Sequence, residues 1–322
     1  MHSAARWITV ACTVLCATSV SAQGYPERAI RLIVPYAPGG NIDITARAIQ
    51  SGLGELLGQS IIIDNRTGAG GTIGSDLAAK APADGYTILV GSSGTLTVAP
   101  SLYPKNPYHP VRDFSPVSFV STVPLVVEVH PSVPAKNIRE LISMAKARPE
   151  KLSMASAGTG TSNHLAAEMF QSMAGVRFTH IPYKGSGPAL VELMGGQVDL
   201  MFDQLSSSAS YIQAGRLRAL AVTTEKRAAI LPDVPTVAES GVPGFEASTF
   251  TGLVVPAGTP RDIINKLHAA TVKVLARAAV KERFASFGAE AFSSTPEQLG
   301  EFIRKDYAKW TKVVKDANIR VD

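Results

Sequence analysis

The sequence predicts an α/β protein of two lobes, each a mostly parallel sheet flanked by helices, with a cleft between the lobes and a helical C-terminal tail. Three observations predict this fold. Short apolar runs alternate with helically spaced apolar residues in two successive stretches, glycine-rich loops follow several predicted strands, and the chain closes in long helical patterns. The 322 residues, 45% hydrophobic and 18% charged, are enough for two globular cores.

The first lobe is predicted from an alternation that begins at residues 30–35, where Ile-Arg-Leu-Ile-Val-Pro is typical of a strand. Apolar residues from Ile42 to Leu56 follow at helical spacing. Repeated strand–helix–strand units indicate a parallel sheet covered by helices. The other elements predicted in this lobe are strands at 60–64 and 86–90 and a helix at 72–80.

The second lobe repeats this alternation after a strand-rich stretch at 119–129. Its apolar residues again switch between helical spacing and short continuous runs. The predicted helices span 138–146, 165–173 and 188–194, and the predicted strands span 152–156, 178–182, 198–202 and 217–223.

The C-terminal part is predicted to return to the first lobe. A strand at 252–256 precedes a long helix that Thr259 caps, with Pro260 at its first position. Helices are then predicted at 280–287 and 296–317.

A returning tail makes the chain cross between the lobes twice. We place the crossings near Val123 and near Thr249, so that residues 23–123 plus 249–322 form one domain and residues 124–248 the other. Two crossings form a hinge, and a hinge allows the cleft to close.

Residues 1–22 are predicted to be a secretory signal peptide. Arg6 precedes an apolar run of 14 residues, 7–20, and the small residues Ser21 and Ala22 fit cleavage after Ala22. The run is too short for a membrane anchor, because a spanning helix needs about 20 apolar residues.

Removal of the signal peptide leaves a mildly basic chain without cysteine. Cys12 and Cys16 lie inside the signal, so the mature chain offers no disulfide, thiolate nucleophile or cysteine metal site. The net charge of +5 falls to +4 with the loss of Arg6, which suits an anionic ligand and also a neutral one. Basic and acidic residues are interspersed, which argues against nucleic-acid binding.

Four glycine-rich loops, each between a predicted strand and a helix, are the candidate binding elements. A helix start offers unpaired backbone N–H groups and a positive dipole end, and glycine lets the backbone approach an anion closely. A loop from each lobe could therefore hold a carboxylate without an arginine. One such loop alone is more often an ordinary turn, but four in one chain favour binding. They span residues 36–43, 67–72, 91–95 and 156–163.

Polar residues in and near these loops are the candidate ligand contacts, and most have a structural alternative. Asp43 lies in a first helical turn, where an acid pairs with the helix dipole, and we expect it to act behind the ligand contacts. Asp203 follows the strand 198–202, so it either contacts the ligand or caps the next helix. Polar side chains at 159–163 either bind the ligand or cap a helix. The predicted ligand-binding residues are Tyr36, Ala37, Pro38, Gly40, Asn41, Asp43, Ser92, Thr95, Ser156, Thr159, Gly160, Thr161, Ser162, Asn163, Tyr183 and Asp203.

No catalytic residue, metal site or cofactor is expected. His164 and His180 are separate in sequence and lack partners at metal-ligand spacing, so we expect packed or capping histidines, and Lys184 is expected to be solvated. The chain has no Gly-x-Ser-x-Gly, no His-Glu-x-x-His and no Gly-x-x-x-x-Gly-Lys-Ser/Thr. A carboxylate pair assembled by folding stays open, and a sensory module would share the whole fold.

Nine short motifs follow one another along the mature chain; each is weak alone, and together they are specific. They are Val34-Pro35-Tyr36-Ala37-Pro38-Gly39-Gly40, Gly68-Ala69-Gly70-Gly71, and the segments 82–87, 113–117, 157–166, 182–185, 195–199, 235–241 and 256–260. With these motifs the chain resembles the substrate-binding proteins of tripartite tricarboxylate transporters, known in some bacteria as the Bug family. One departure is Phe250, where the family often has tryptophan.

The resemblance implies a two-lobed periplasmic-binding-protein fold of type II and a location in the periplasm. It implies a monomer that delivers a small carboxylate to the membrane subunits of a transporter driven by an ion gradient. It further implies that loops 36–43 and 156–163 grip the carboxylate from opposite lobes, mainly with backbone groups and bridging waters. The selective contacts are expected near 92–97, Tyr183 and Asp203, and the identity of the acid stays open.

Overall fold

The computed structural model describes residues 24–103 and 105–316, in which ten strands join two lobes into one continuous sheet. The predicted signal peptide lies outside these residues. Eight strands follow one another in the order β2 (Ile61–Asn65), β1 (Ile30–Val34), β3 (Thr87–Ser92), β9 (Ser248–Pro256), β4 (Phe114–Val129), β7 (Leu200–Gln204), β5 (Ser153–Ser156) and β6 (Thr179–Pro182). Two further strands, β8 (Arg218–Val222) and β10 (Glu290–Ala291), both pair with β4. In the part of the chain that the structure describes, no helix is both long enough and apolar enough to cross a membrane.

The first lobe is built on three parallel strands. β1 (Ile30–Val34) lies between β2 (Ile61–Asn65) and β3 (Thr87–Ser92), and α1 (Asn41–Leu57) and α2 (Thr72–Ala79) connect them. The predicted apolar stripe of α1 is buried against β1. After β3 the chain forms a π-helical turn at Gly94–Val98 and then α3 (Ala99–Leu102), which the sequence did not predict.

The second lobe repeats the arrangement, with β5 between the parallel strands β6 and β7. Its core packs fully buried aromatic rings, including Phe170, Phe202 and Phe245, against aliphatic residues of the helices. Its elements are α4 (Ile138–Ala147), β5 (Ser153–Ser156), α5 (Ser162–Ala174), β6 (Thr179–Pro182), α6 (Ser186–Met194), β7 (Leu200–Gln204), α7 (Leu205–Gln213) and β8 (Arg218–Val222).

Two long strands connect the lobes. β4 (Phe114–Val129) pairs with β9 (Ser248–Pro256) over its first part and with β7 and β8 over its last five residues, 125–129. Both pairings are antiparallel, so each lobe combines three parallel strands with antiparallel neighbours. The sheets are therefore more mixed than the predicted mostly parallel ones, because a strand that arrives from the other lobe enters in the opposite direction.

The C-terminal tail packs on the first lobe. It comprises α8 (Arg261–Ala276), α9 (Ala278–Ser286), the short strand β10 (Glu290–Ala291) and α10 (Pro296–Asp316). One expectation is wrong: Pro260 is the N-cap of α8, and the Thr259 hydroxyl instead donates a hydrogen bond to the Pro256 carbonyl. Thr259 thus closes the turn that precedes the helix.

Phe250 belongs to an aromatic cluster of the first lobe. Its ring packs edge-on against Phe119 and Phe302, with centroids 5.5 and 4.9 Å apart. The position where the family often has tryptophan therefore anchors α10 to the sheet.

Candidate ligand-binding site

A cavity lies between the lobes at the carboxyl ends of their parallel strands. The cavity is small and partly open to solvent. A wider depression beside the C-terminal end of α1 opens to solvent and belongs to one lobe only. The first lobe contributes Tyr36, Gly40, Asn41, Ile42, Ser92 and Thr249 to the cavity wall, and the second contributes Ala157, Thr161, Ser162, Asn163, Ser186 and Gln204.

Four helices, α1, α5, α6 and α7, begin at this wall. Three of their N-caps, Gly40, Gly185 and Gln204, make no side-chain hydrogen bond to their helices, so the first N–H groups stay available to a ligand. The dipoles of all four helices make the cavity electropositive. None of the described residues that line it is charged, so an anion would be held by backbone groups and neutral side chains.

Asn41 is a neutral donor that faces this cavity. Its side chain is 3% exposed, and its Oδ1 accepts a hydrogen bond of 2.7 Å from Ser206 of the other lobe. Its Nδ2 has no hydrogen-bond partner within the protein. Because a buried unpaired N–H is costly, this amide is suited to donate to a ligand oxygen.

Asp43 supports the first binding loop from behind. Its carboxylate accepts hydrogen bonds from the backbone N–H of Gly39, from Arg47 and from Asn65, at 2.8–3.1 Å. Burial raises the pKa of Asp43, but these hydrogen bonds outweigh it and hold the pKa below its ordinary value. Asn65 also donates to the Tyr36 carbonyl, so the ionised acid fixes both ends of the loop.

A stacked pair of histidines supports the second binding loop. The rings of His164 and His180 lie 4.2 Å apart and nearly parallel, so two residues that are separate in sequence meet in space. His180 Nε2 lies 2.6 Å from the Ser156 hydroxyl, and His164 Nδ1 accepts from the Gly160 N–H at 3.3 Å. Burial lowers the pKa of each histidine to about 4, which keeps both rings neutral at pH 7.

This pair should make the protein less stable in acid. An unfolded histidine has a pKa near 6.5, so below that value the unfolded chain binds protons before the folded one. The stability that the neutral pair provides is complete above about pH 6.5 and is lost as the pH falls toward 4. We expect each histidine to lower the free energy of unfolding by up to about 1.4 kcal/mol per pH unit in that window. Urea denaturation at pH 7 and pH 5 measures the loss.

A comparison of variants assigns this loss to the pair. His180→Gln should lose less stability than the wild type between the two pH values, and His130→Gln, which lies outside the pair, should lose as much. Burial raises the pKa values of Asp203 and Glu128, so protonation of these two acids stabilises the folded protein as the pH falls. This contribution is the same in all three proteins. Equal losses in wild type and His180→Gln would contradict the assignment.

Asp203 lies behind the cavity wall and orders two residues that form it. Its Oδ1 accepts from Ser186 Oγ at 2.6 Å and from Asn163 Nδ2 at 2.7 Å, and its side chain is fully buried. Its Oδ2 lies 3.2 Å from the hydroxyl of Ser208, which also reaches the buried Glu128 at 2.8 Å. Burial raises the pKa of Asp203 to about 6, although the hydrogen bonds oppose the rise.

The two lobes touch directly around the cavity. The Ala37 N–H donates to the Lys184 carbonyl at 3.1 Å, and the Tyr103 hydroxyl donates to the Thr159 carbonyl at 2.9 Å. Together with the bond between Ser206 and Asn41, these contacts bring loops of both lobes against one another. The structure therefore shows the closed arrangement of the cleft.

Seven of the predicted ligand-binding residues line the cavity: Tyr36, Gly40, Asn41, Ser92, Thr161, Ser162 and Asn163. The other nine, Ala37, Pro38, Asp43, Thr95, Ser156, Thr159, Gly160, Tyr183 and Asp203, lie behind it or at the contact between the lobes. Thr161 is also the N-cap of α5, as the structural alternative proposed.

Five lining residues were not predicted. Ile42 and Ala157 lie inside the predicted loops 36–43 and 156–163, whereas Ser186, Gln204 and Thr249 lie outside them. Ser186 begins α6 two residues before the predicted helix start, directly after the motif at 182–185. That motif and the glycine before Ser186 were the available signal. Gln204 and Thr249 stand at a strand end and at a crossing between the lobes, where a single polar residue carries no distinguishing pattern.

A cavity closed between two α/β lobes and walled by helix starts from both defines the class of two-lobed solute-binding proteins. Within that class, the chain belongs to the family described as "Tripartite tricarboxylate transporter family receptor", whose model matches residues 45–319. This confirms the family resemblance and the fold predicted from the sequence.

Three relatives illustrate the similarity. The chain is 41% identical to the protein BugT of Bordetella pertussis, over 95% of this chain and 94% of that protein. It is similar to the structure of Rpa4515 of R. palustris with adipate, with a TM-score of 0.89, 38% identity and coverage of 92% and 99% of the two chains. It is also similar to MatC (Rpa3494) from Rhodopseudomonas palustris with bound malate, with a TM-score of 0.87, 35% identity and coverage of 90% and 100%.

Proposed function

We propose that this protein is an exported receptor that captures a small carboxylate between its lobes and passes it to the membrane subunits of a tripartite transporter. The observation that carries the proposal is the cavity at which four helices begin and whose wall, among the described residues, has no charged side chain. Similar proteins hold adipate and malate, which are both carboxylates.

The binding cycle that we infer is a hinged clamp. Residues 23–123 and 249–322 move as one domain and residues 124–248 as the other, about β4 and the entry to β9. The ligand enters the open cleft, and its contacts with both lobes stabilise the closed form. The mature chain begins after Ala22, works in the periplasm and acts as a monomer.

We further propose that the protein catalyses no reaction. The nearest resemblance to a nucleophile and base is Ser156 beside His180. Ser156 is fully buried, its hydroxyl also accepts the Gly158 N–H, and it does not line the cavity. This pair holds the binding loop in shape, which supports a receptor rather than a hydrolase.

A thermal-shift screen of the mature protein against mono-, di-, tri- and aromatic carboxylates tests the proposal. A ligand at 100 times its Kd adds about 2.7 kcal/mol to the free energy of unfolding and should raise Tm by several degrees. Small-angle scattering with the best acid should show a smaller radius of gyration than the ligand-free protein. Folded, ligand-free protein that responds to none of the acids would contradict the carboxylate assignment. Binding without compaction would contradict the clamp.

A further inference from the structure

The direction of one hydrogen bond at the cavity wall carries a further inference, which rests on the proposed carboxylate-binding function. Ser186 lines the cavity and is 3% exposed, and its Oγ lies 2.6 Å from Oδ1 of the fully buried Asp203. A carboxylate oxygen can only accept, so the hydroxyl hydrogen of Ser186 points into the protein. What Ser186 offers to the cavity is therefore its lone pairs.

The surroundings of Asp203 keep this direction fixed. The Ser208 hydroxyl lies between Glu128 Oε1 and Asp203 Oδ2 and has one hydrogen to donate. A proton on Glu128 satisfies both contacts, since Glu128 then donates to Ser208 and Ser208 donates to Asp203. Burial and then repulsion from Asp203 raise the pKa of Glu128 well above its ordinary value, in agreement with a proton there. The charge of the pair is thus held by Asp203, which accepts from Ser186.

Most other polar groups of the wall are donors or are already paired. Asn41 Nδ2 and the first N–H groups of α1 and α6 are donors. Thr161 donates its hydrogen to the Gly158 carbonyl at 2.6 Å, but it also accepts from the N–H of His164 as the cap of α5. The hydroxyls of Tyr36 and Thr249 also donate inward, but to neutral carbonyls at 3.2 and 3.4 Å. Ser186 is therefore the wall hydroxyl whose hydrogen a buried carboxylate holds away from the cavity.

The acceptor and the donors lie close together. A Cβ atom on Gly40, the N-cap of α1, would lie 3.4 Å from the Ser186 Cβ and 3.8 Å from its Oγ. The start of α1 and Ser186 are therefore neighbours in the same part of the cavity wall. A carboxyl group with a hydroxyl on the adjacent carbon presents acceptors and a donor side by side, as this pair of groups requires.

We propose that the preferred ligand is a 2-hydroxycarboxylate, and that Ser186 selects it by accepting a hydrogen bond from the 2-hydroxyl group. Asp203 is the positioning residue that turns the Ser186 hydroxyl away from the ligand. An acid without the hydroxyl leaves the lone pairs of Ser186 without a donor in the closed cleft, which lowers its affinity.

Calorimetric titration with matched acids tests this selectivity. Malate should bind at least about tenfold more tightly than succinate, and 2-hydroxyglutarate more tightly than glutarate by a similar factor. Equal affinities within each pair would overturn the inference and leave the proposed function standing, whereas no binding of any acid would overturn the function itself. Aspartate binding more tightly than malate would overturn the hydroxyl assignment in favour of an ammonium donor.

Three variants assign the selectivity to the hydrogen bond. Ser186→Ala should bring the malate-to-succinate ratio of affinities close to one. Asp203→Val should lower the same ratio, because no acceptor then remains behind Ser186 and its hydrogen is free to turn toward the ligand. The control is Ser162→Ala, which removes another hydroxyl of the wall and should weaken both acids alike. An unchanged ratio in both Ser186→Ala and Asp203→Val would overturn the role of Ser186.

Discussion

Gly187→Ala should abolish tight ligand binding while leaving the ligand-free protein folded and stable. Gly187 is the second residue of α6, and a Cβ atom there would overlap the backbone carbonyl oxygen of Pro38 in the opposite lobe. Neither backbone can yield without moving a lobe, so the substitution holds the cleft partly open. Inside the second lobe it replaces a helical glycine by alanine, which stabilises a helix by up to about 1 kcal/mol.

The expected loss of affinity is about 100-fold. A cleft that cannot close forfeits the ligand contacts of one lobe, and two or three hydrogen bonds of about 1 kcal/mol each correspond to that factor. Calorimetry with the best carboxylate measures the affinity, and small-angle scattering should show that saturating ligand no longer compacts the variant.

Gly195→Ala is the matched control for this prediction. It makes the same change at the other end of α6, where a Cβ atom would lie 3.4 Å from Val191 of the same lobe. The control should bind and compact as the wild type does. If Gly187→Ala also bound normally, or if its Tm fell by many degrees, the contact between α6 and the first binding loop would not govern closure.

The fold could be predicted because its signals are local and repeated. Each strand–helix unit carries its own apolar period, and the glycines of loops 36–43 and 156–163 mark the turns into α1 and α5. The antiparallel pairing of β4 with β7 and β8 carried no such signal, since the direction of a strand depends on which lobe the chain has just left.

The binding site could be predicted only where loop and helix start coincide in sequence. Asp203 lies one residue before the end of β7, yet its carboxylate is buried behind Ser186 and Ser208, while the next residue, Gln204, reaches the cavity. Successive side chains of a strand point to opposite faces, and the sequence does not say which face is the cleft. The stacking of His164 on His180 could not be predicted for a related reason. Their contact depends on how α5 packs beside β6, which the sequence does not show.

Asn41→Asp should remove carboxylate binding without harming the fold. The change is nearly isosteric, and the new carboxylate would occupy the first position of α1, where a negative charge stabilises a helix by about 0.3–1 kcal/mol. It can still accept the Ser206 hydroxyl as the amide oxygen does now. The change removes the Nδ2 amino group of Asn41, which has no partner among the described residues, and it adds a charge of the same sign as the ligand.

The electrostatic effect of this change is large because no described side chain of the wall is cationic. Two unit charges 4 Å apart repel by about 4 kcal/mol at an effective dielectric constant of 20, and none of the described wall residues is cationic. We therefore expect at least a 100-fold loss of affinity for every acid in the panel at pH 7, measured by calorimetry, with an equal or higher Tm for the ligand-free protein.

The control and the pH dependence separate this mechanism from a general effect of charge. Gln59→Glu adds the same charge just beyond the far end of α1 and should bind as the wild type does. Lowering the pH through the pKa of the introduced carboxyl should restore part of the affinity of Asn41→Asp, because the neutral acid can donate where the amide did. Normal binding at pH 7 would show that Asn41 does not face the ligand, and the anion would then be held by the helix starts alone.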